Sequence, residues 1–123
     1  MTIQMESLNG NKIIKFSGEI YNVSMKEFID ATHTCMLKLS SEENLKVIFD
    51  RSFESTEMSK EKSAVVEELN DFLVSHCEKV ATLFDHQKEK KEYNFKCHRK
   101  GDFSKTKGFT TDEIERAKTF LNF

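Results

Sequence analysis

The 123-residue chain has no proline and no tryptophan, only four glycines and three cysteines. It also has no apolar run near the roughly 20 residues that a membrane-crossing helix needs. Each absence excludes something. Without proline, no residue has a locked φ or a missing backbone donor, so helix and strand interiors lack that breaker. Without tryptophan, the bulky core material falls to phenylalanine, present 11 times. Cys35, Cys77 and Cys97 cannot all pair, which excludes a disulfide-built scaffold. The opening Met1-Thr2-Ile3-Gln4-Met5-Glu6 lacks the charged and apolar regions of a secretory signal. A reducing, cytoplasmic setting is the expectation. A strong charge of one sign is missing too: net −2 gives no global field to attract nucleic acid or acidic lipid. The length suits one domain, 1–123, large enough to bury a core.

What is present is a rhythm. Ile13–Gly18, Leu45–Asp50 and Lys79–Phe84 are short runs rich in β-formers, separated by stretches with helical periodicity. Strands joined by helix-length crossovers pair in parallel, so the class is α/β with a mixed sheet. Residues 3–8 and 12–18 predict a first hairpin, turned at Asn9-Gly10, the preferred pair for a tight type I′ turn. Ser24 and Glu27 have the spacing of a capping box. The helix that follows presents Phe28, Thr32, Cys35, Met36 and Leu39 on one face. A second helix begins near Lys60, with Ala64, Val65, Leu69, Phe72, Leu73 and His76 along one side. Segment 86–104 is ambiguous. Tyr93, Phe95 and Cys97 alternate as in a strand, yet Tyr93 and Cys97 are also four apart. The balance favours a short charged helix. Residues 105–109 predict a last strand. Thr110 and Glu113 then cap a closing helix with Ile114, Ala117, Phe120 and Leu121 inward.

No group of residues spells out a reaction. His76-Cys77 and Cys97-His98 carry zinc-ligand chemistry, but no Cys-x-x-Cys is present and adjacent ligands rarely reach one ion, so no metal or other cofactor is expected. Ser52, Ser55, Thr56 and Ser59 cluster at a strand-to-helix turn. A phosphate there would meet helix N-terminal N–H groups, although these residue types more commonly serve as plain caps. Asp50 ends the central strand, at the carboxyl rim where α/β sheets gather ligands, and Asp85 is expected nearby. Segment 88–107 has eight Lys/Arg against three acidic residues, a local +5 that leaves −7 for the rest. Lys90, Lys91, Lys96, Arg99 and Lys100, interleaved with Tyr93, Phe95 and Phe103, form a candidate surface for an acidic partner or nucleic acid. The ordinary use of such a run is a solvated face. No RNA-binding aromatic motif or helix-turn-helix pattern accompanies it, so nucleic acid is the weaker choice.

Three stretches carry a family resemblance: Phe16-Ser17-Gly18-Glu19-Ile20 before a capped helix, Val47-Ile48-Phe49-Asp50, and the close from Gly108-Phe109-Thr110-Thr111-Asp112-Glu113 to Phe120-Leu121. Nearly the whole chain resembles the STAS-like family, the fold of bacterial anti-sigma-factor antagonists and their divergent relatives. The resemblance implies one mixed-sheet domain with an N-terminal hairpin, βαβ units and about four helices packed mainly on one face. It further implies a non-enzymatic regulatory or protein-interaction module, with a small apolar ligand suggested for some relatives. The antagonists carry a phosphorylated serine in an Asp-Ser-Ser-Gly-like stretch. Here that stretch reads Arg51-Ser52-Phe53-Glu54-Ser55-Thr56-Glu57-Met58, so Asp50, Ser52, Ser55 and Thr56 mark the corresponding rim, without the glycine. Two alternatives stay open beside it. One is a small enzyme using Asp50, His86 or a cysteine; the other is binding through 88–107. Monomer and homodimer are both open, since an exposed first strand could pair edge to edge.

Overall fold

The computed structural model describes residues 2–8, 11–17, 22–53 and 58–122. The chain forms β1 (Thr2–Leu8), β2 (Asn11–Ser17), α1 (Met25–Ser40), β3 (Lys46–Asp50), α2 (Lys60–His76), β4 (Lys79–Phe84), α3 (Gln87–Lys100), β5 (Thr106–Thr110), a 3-10 turn (Thr111–Glu113) and α4 (Ile114–Leu121). The five strands make one mixed sheet in the order β1-β2-β3-β4-β5. β1 and β2 pair antiparallel from Thr2↔Ser17 to Leu8↔Asn11, and every later pair is parallel. The expected Asn9-Gly10 turn lies outside the described residues.

Successive crossovers that advance in one direction across a sheet place their helices on the same face, given the common hand of βαβ units. Accordingly α1 and α2 cover a front face built on Ile14, Phe16, Val47, Phe49 and Val80, and α3 continues that layer over Phe84 through Tyr93 and Cys97. The terminal α4 crosses to the back face, where Ala117 and Leu121 bury Ile48, Ala81, Leu83 and Phe109. It covers β3 to β5, and Ile13 of β2 packs against the margin of that cluster. Beyond Ile13 the back face over β1 and β2 is polar, with Gln4, Glu6 and Lys15 exposed.

Local chemistry sets the element ends. The Ser24 and Ser59 hydroxyls accept the Glu27 and Lys62 N–H groups at 3.1 and 3.2 Å, capping α1 and α2. At the other end of α3, Gly101 adopts φ 79°, and Asp102 N–H reaches back to the Cys97 carbonyl at 2.9 Å. That closure needs a left-handed residue, which glycine supplies without a Cβ clash. The ambiguous 86–104 segment is therefore helical from Gln87 to Lys100 and turns from Gly101 onward.

The inward face of α2 differs from the sequence expectation. Ala64 is exposed, whereas Lys62, Val66 and Asn70 are buried alongside Val65, Leu69 and Leu73. Hydrophobic pattern alone misses polar residues that bury with a partner. Lys62 lies 6.0 Å from the Phe28 ring centroid, and Asn70 donates to Tyr93 of α3 at 3.1 Å.

Candidate functional site

The carboxyl rim of the sheet is built by turn chemistry. Asp50 accepts the Ser52 N–H at 2.9 Å, an Asx-type closure that ends β3. Asp50 and Ser52 are thus adjacent and partly buried. Ser55 and Thr56 lie outside the described residues. Around this rim Phe16 stacks on Phe28 at 5.5 Å and meets Phe49 and Phe53 at 6.3 and 4.4 Å. Next along the rim is Arg51, which sequence reasoning passed over. Its backbone N–H donates to the Leu83 carbonyl at 2.8 Å, tying β3 to β4. Its guanidinium sits 5.3 Å from the Phe84 centroid and donates to Glu67 Oε1 of α2 at 2.6 Å. Only 5% of the arginine side chain is exposed, so the cation is held by ring and carboxylate together.

From Arg51 a cleft runs down between α2 and α3. Its upper part is bounded by Arg51, Phe84 and Glu89, its lower part by Asp71, Val74, Lys100 and Lys105, and Glu67, Tyr93 and Lys96 belong to both. The lower part holds about 290 Å³, the low end for a ligand pocket. Its floor is a buried polar network drawn from four elements. Asn70 Nδ2 donates to Tyr93 Oη at 3.1 Å, Thr82 Oγ1 lies 3.2 Å from the same oxygen, and Thr106 Oγ1 lies at 2.6 Å. One consistent proton order runs from Asn70 to Tyr93 to Thr106. Burial pushes the Tyr93 phenol upward in pKa, against the lowering effect of those hydrogen bonds, so it stays protonated at neutral pH. The floor is a scaffold with its bonds made; the walls carry the chemistry. Glu67 and Asp71 project from α2, and Lys96, Lys100 and Lys105 face them.

The five cations singled out from sequence separate by geometry. Lys90 pairs with Glu113 at 2.7 Å, both largely buried, and so ties α3 to the start of α4. Lys91 is exposed on the outer side of α3. Lys96, Arg99 and Lys100 line one shallow depression. Arg99 lies 5.8 Å from the centroid of Phe95, a ring left 65% exposed. Just beyond the helix, Phe103 is 58% exposed and tilts against His98 at 5.1 Å. Large exposed rings beside cations distinguish this face from an ordinary solvated helix.

The free edge of the sheet next to α3 is closed. The three N–H groups of β5 that point away from β4 are all taken: Thr106 by the Asp102 carbonyl at 3.0 Å, Gly108 by Asn94 Oδ1 at 2.7 Å, Thr110 by Glu113 Oε1 at 3.0 Å. Asn94 also donates to the Gly108 carbonyl at 3.2 Å. Its side-chain amide thus takes the place of a neighbouring peptide, and strand addition there is blocked.

Residues considered for catalysis do not converge. All three cysteines are buried free thiols. Burial drives Cys35 and Cys77 up to about 11 and raises Cys97 as well, which starves each of the reactive thiolate. His86 and Asp85 are neighbours on the open surface, 3.6 Å apart, and Asp50 is engaged in its turn. Among the described residues no group of three or more His, Cys, Asp or Glu could hold a metal ion, and no helix is long and apolar enough to cross a membrane.

Comparison with protein-family models, with curated proteins and with solved structures finds no match to this chain.

Proposed function

We propose that this chain is a non-enzymatic, STAS-like interaction module of the cytoplasm. Its working surface is the outer face of α3 together with the α2–α3 cleft, and its partner is an acidic polypeptide segment with an apolar anchor. One observation carries the reading. Phe95 stands exposed against Arg99 and beside Lys96 and Lys100, which open into the adjacent cleft. An aromatic ring flanked by cations offers a partner both an apolar anchor point and charge complementarity, the combination found at interface hot spots. The three buried free thiols support a reducing compartment. An apolar small ligand is the weaker occupant, because the walls of the cleft carry charges of both signs. The reading places partner recognition on α3 and leaves the Asp50–Ser52 rim as a structural turn.

Binding to two peptide pools tests it. One pool is rich in Asp and Glu, each peptide carrying a single Leu, Ile or Phe; the matched pool is rich in Lys and Arg. The expected result is binding of the acidic pool alone, weakening as added salt shortens the screening length below the roughly 8 Å of physiological buffer. It should be lost in a Lys96→Glu, Arg99→Glu, Lys100→Glu triple variant. Equal binding of both pools, or an unaffected triple variant, contradicts the reading. Salt-sensitive binding of a single-stranded oligonucleotide without peptide binding would favour nucleic acid instead.

A further inference from the structure

The two edges of the sheet are treated differently. β5 is sealed by Asp102, Asn94 and Glu113. β1 is the opposite edge, and among the described residues none hydrogen-bonds to its backbone from the outer side. Natural edge strands are kept from pairing by lysine, proline, bulges or brevity. β1 has no lysine, proline or bulge and is not short; its one charged side chain is Glu6. It runs seven residues, Thr2–Leu8, in unbroken register with β2, and contains no Lys, Arg or Pro.

The strand is also complementary to itself. Ile3 and Met5 face the front layer, while Gln4 and Glu6 are exposed on the back. An antiparallel copy that keeps front against front, centred on Met5, uses the whole strand. It sets Gln4 opposite Glu6 of the copy, twice, and Ile3 opposite Ser7. Amide-to-carboxylate pairs across strands are favourable, whereas like charges there are not.

A second element shows the same symmetry. α1 flanks β1: Cys35 Sγ lies 3.7 Å from Met5 Sδ, while on the other side of the helix His33 reaches Glu68 of α2 at 3.3 Å. The side of α1 nearer the β1 edge, by 3.6-residue geometry, therefore carries Glu27, Ala31, Thr34 and Lys38. Set against an antiparallel copy, this stripe places Glu27 opposite Lys38 and Ala31 opposite Thr34. Small residues in the middle permit close approach, and opposite charges meet at the ends. The centre of the stripe lies one turn from Cys35, hence near Met5, the centre of the strand pairing.

We propose that β1 pairs with β1 of a second copy about a twofold axis at Met5, making one continuous sheet, with the two α1 helices crossing the same axis through Ala31 and Thr34. The working face on α3 is at the far edge of the sheet and stays open in such a dimer.

Analytical ultracentrifugation over a micromolar concentration series tests this, with circular dichroism confirming that each variant is folded. The expected result is a species of twice the 14.4 kDa chain mass. Gln4→Glu, which sets carboxylates opposite each other twice, should raise the dimer Kd about tenfold, and Gln4→Lys should lower it. Ala31→Arg should abolish the dimer. Lys38→Glu should weaken it, and the exchange Glu27→Lys with Lys38→Glu should restore it. Because Gln4 is exposed, its two variants decide the matter even if an α1 variant fails to fold. A monomer throughout the series, or a dimer whose Kd does not separate Gln4→Glu from Gln4→Lys, overturns the proposal.

Discussion

A Cβ at Gly108 would lie 3.0 Å from Tyr93 Cδ1 and 3.1 Å from Phe84 Cε2. Neither ring has freedom to retreat. Tyr93 is fixed through Oη, and Phe84 is clamped between Tyr93 at 5.2 Å and the Arg51 guanidinium. Gly108→Ala should therefore cost about 1–3 kcal/mol, the range for overpacking a fixed site, read as a lower urea midpoint. The network beneath behaves as a unit. Asn70→Ala and Tyr93→Phe should each cost about 1–2 kcal/mol, since each leaves a buried partner short of a hydrogen bond. In a double-mutant cycle they should couple by at least about 0.5 kcal/mol; additive losses would show that the two residues act separately. Glu113 makes a prediction about pH. Lys90, then the Thr110 backbone N–H and hydroxyl, hold its carboxyl down from 4.5 to about 2. A folded-state pKa below the unfolded one contributes stability that is complete above about 4.5 and is lost as pH falls toward about 2. Melting temperature should fall over that window, and Glu113→Gln should flatten that part of the curve while lowering stability at neutral pH.

At the scale of elements, α3 is the piece that gives the molecule its character, and it was the least legible in sequence. Its composition is too polar for a clear apolar stripe: only Tyr93 and Cys97 are buried. What fixes it is tertiary. Asn94 pairs with the Gly108 backbone, Lys90 with Glu113, and Tyr93 with residues of α2, β4 and β5. None of these is visible to periodicity, because each joins a polar residue to one far along the chain. The strands and α1 were legible for the converse reason. Apolar runs separated by helix-length stretches report burial directly, and serine caps act within a few residues. The basic set on α3 was found from charge, but Lys90 could not be told from Lys91 until Glu113 was brought beside one of them. Arg51 carried no signal at all; a single arginine after a strand looks like any other. Asn94→Ala should expose the Gly108 N–H, loosen α3 from β5 and speed amide exchange at Gly108. The same exchange rate in both proteins would mean that Tyr93 and the Lys90–Glu113 pair hold α3 in place without Asn94.

Over the whole molecule, the sheet has one edge that is sealed and one that is open, and the two proposed surfaces lie at these opposite edges. The sheet ends at β5 under α3, whose outer face is basic and aromatic, and at β1 beside a helix stripe with small residues at its centre. The interior holds the thiols away from solvent. With Cys35 and Cys77 near 11, native alkylation at neutral pH should be about a hundredfold slower than in the unfolded chain, since two pKa units remove that much thiolate. Rapid labelling of the folded protein would show that the core opens. The division also explains the limited reach of sequence: a fold written in local patterns is recoverable, whereas a surface made by neighbouring helices exists only once the sheet has placed them. The most direct test of the α3 surface is an amide NMR titration with an acidic, Leu-containing peptide. Shifts confined to Glu67–Val74 of α2 and Glu89–Lys105, absent with the matched basic peptide, are the predicted result. Shifts centred on Asp50 and Ser52 with none on α3, or none with either peptide, would contradict the account.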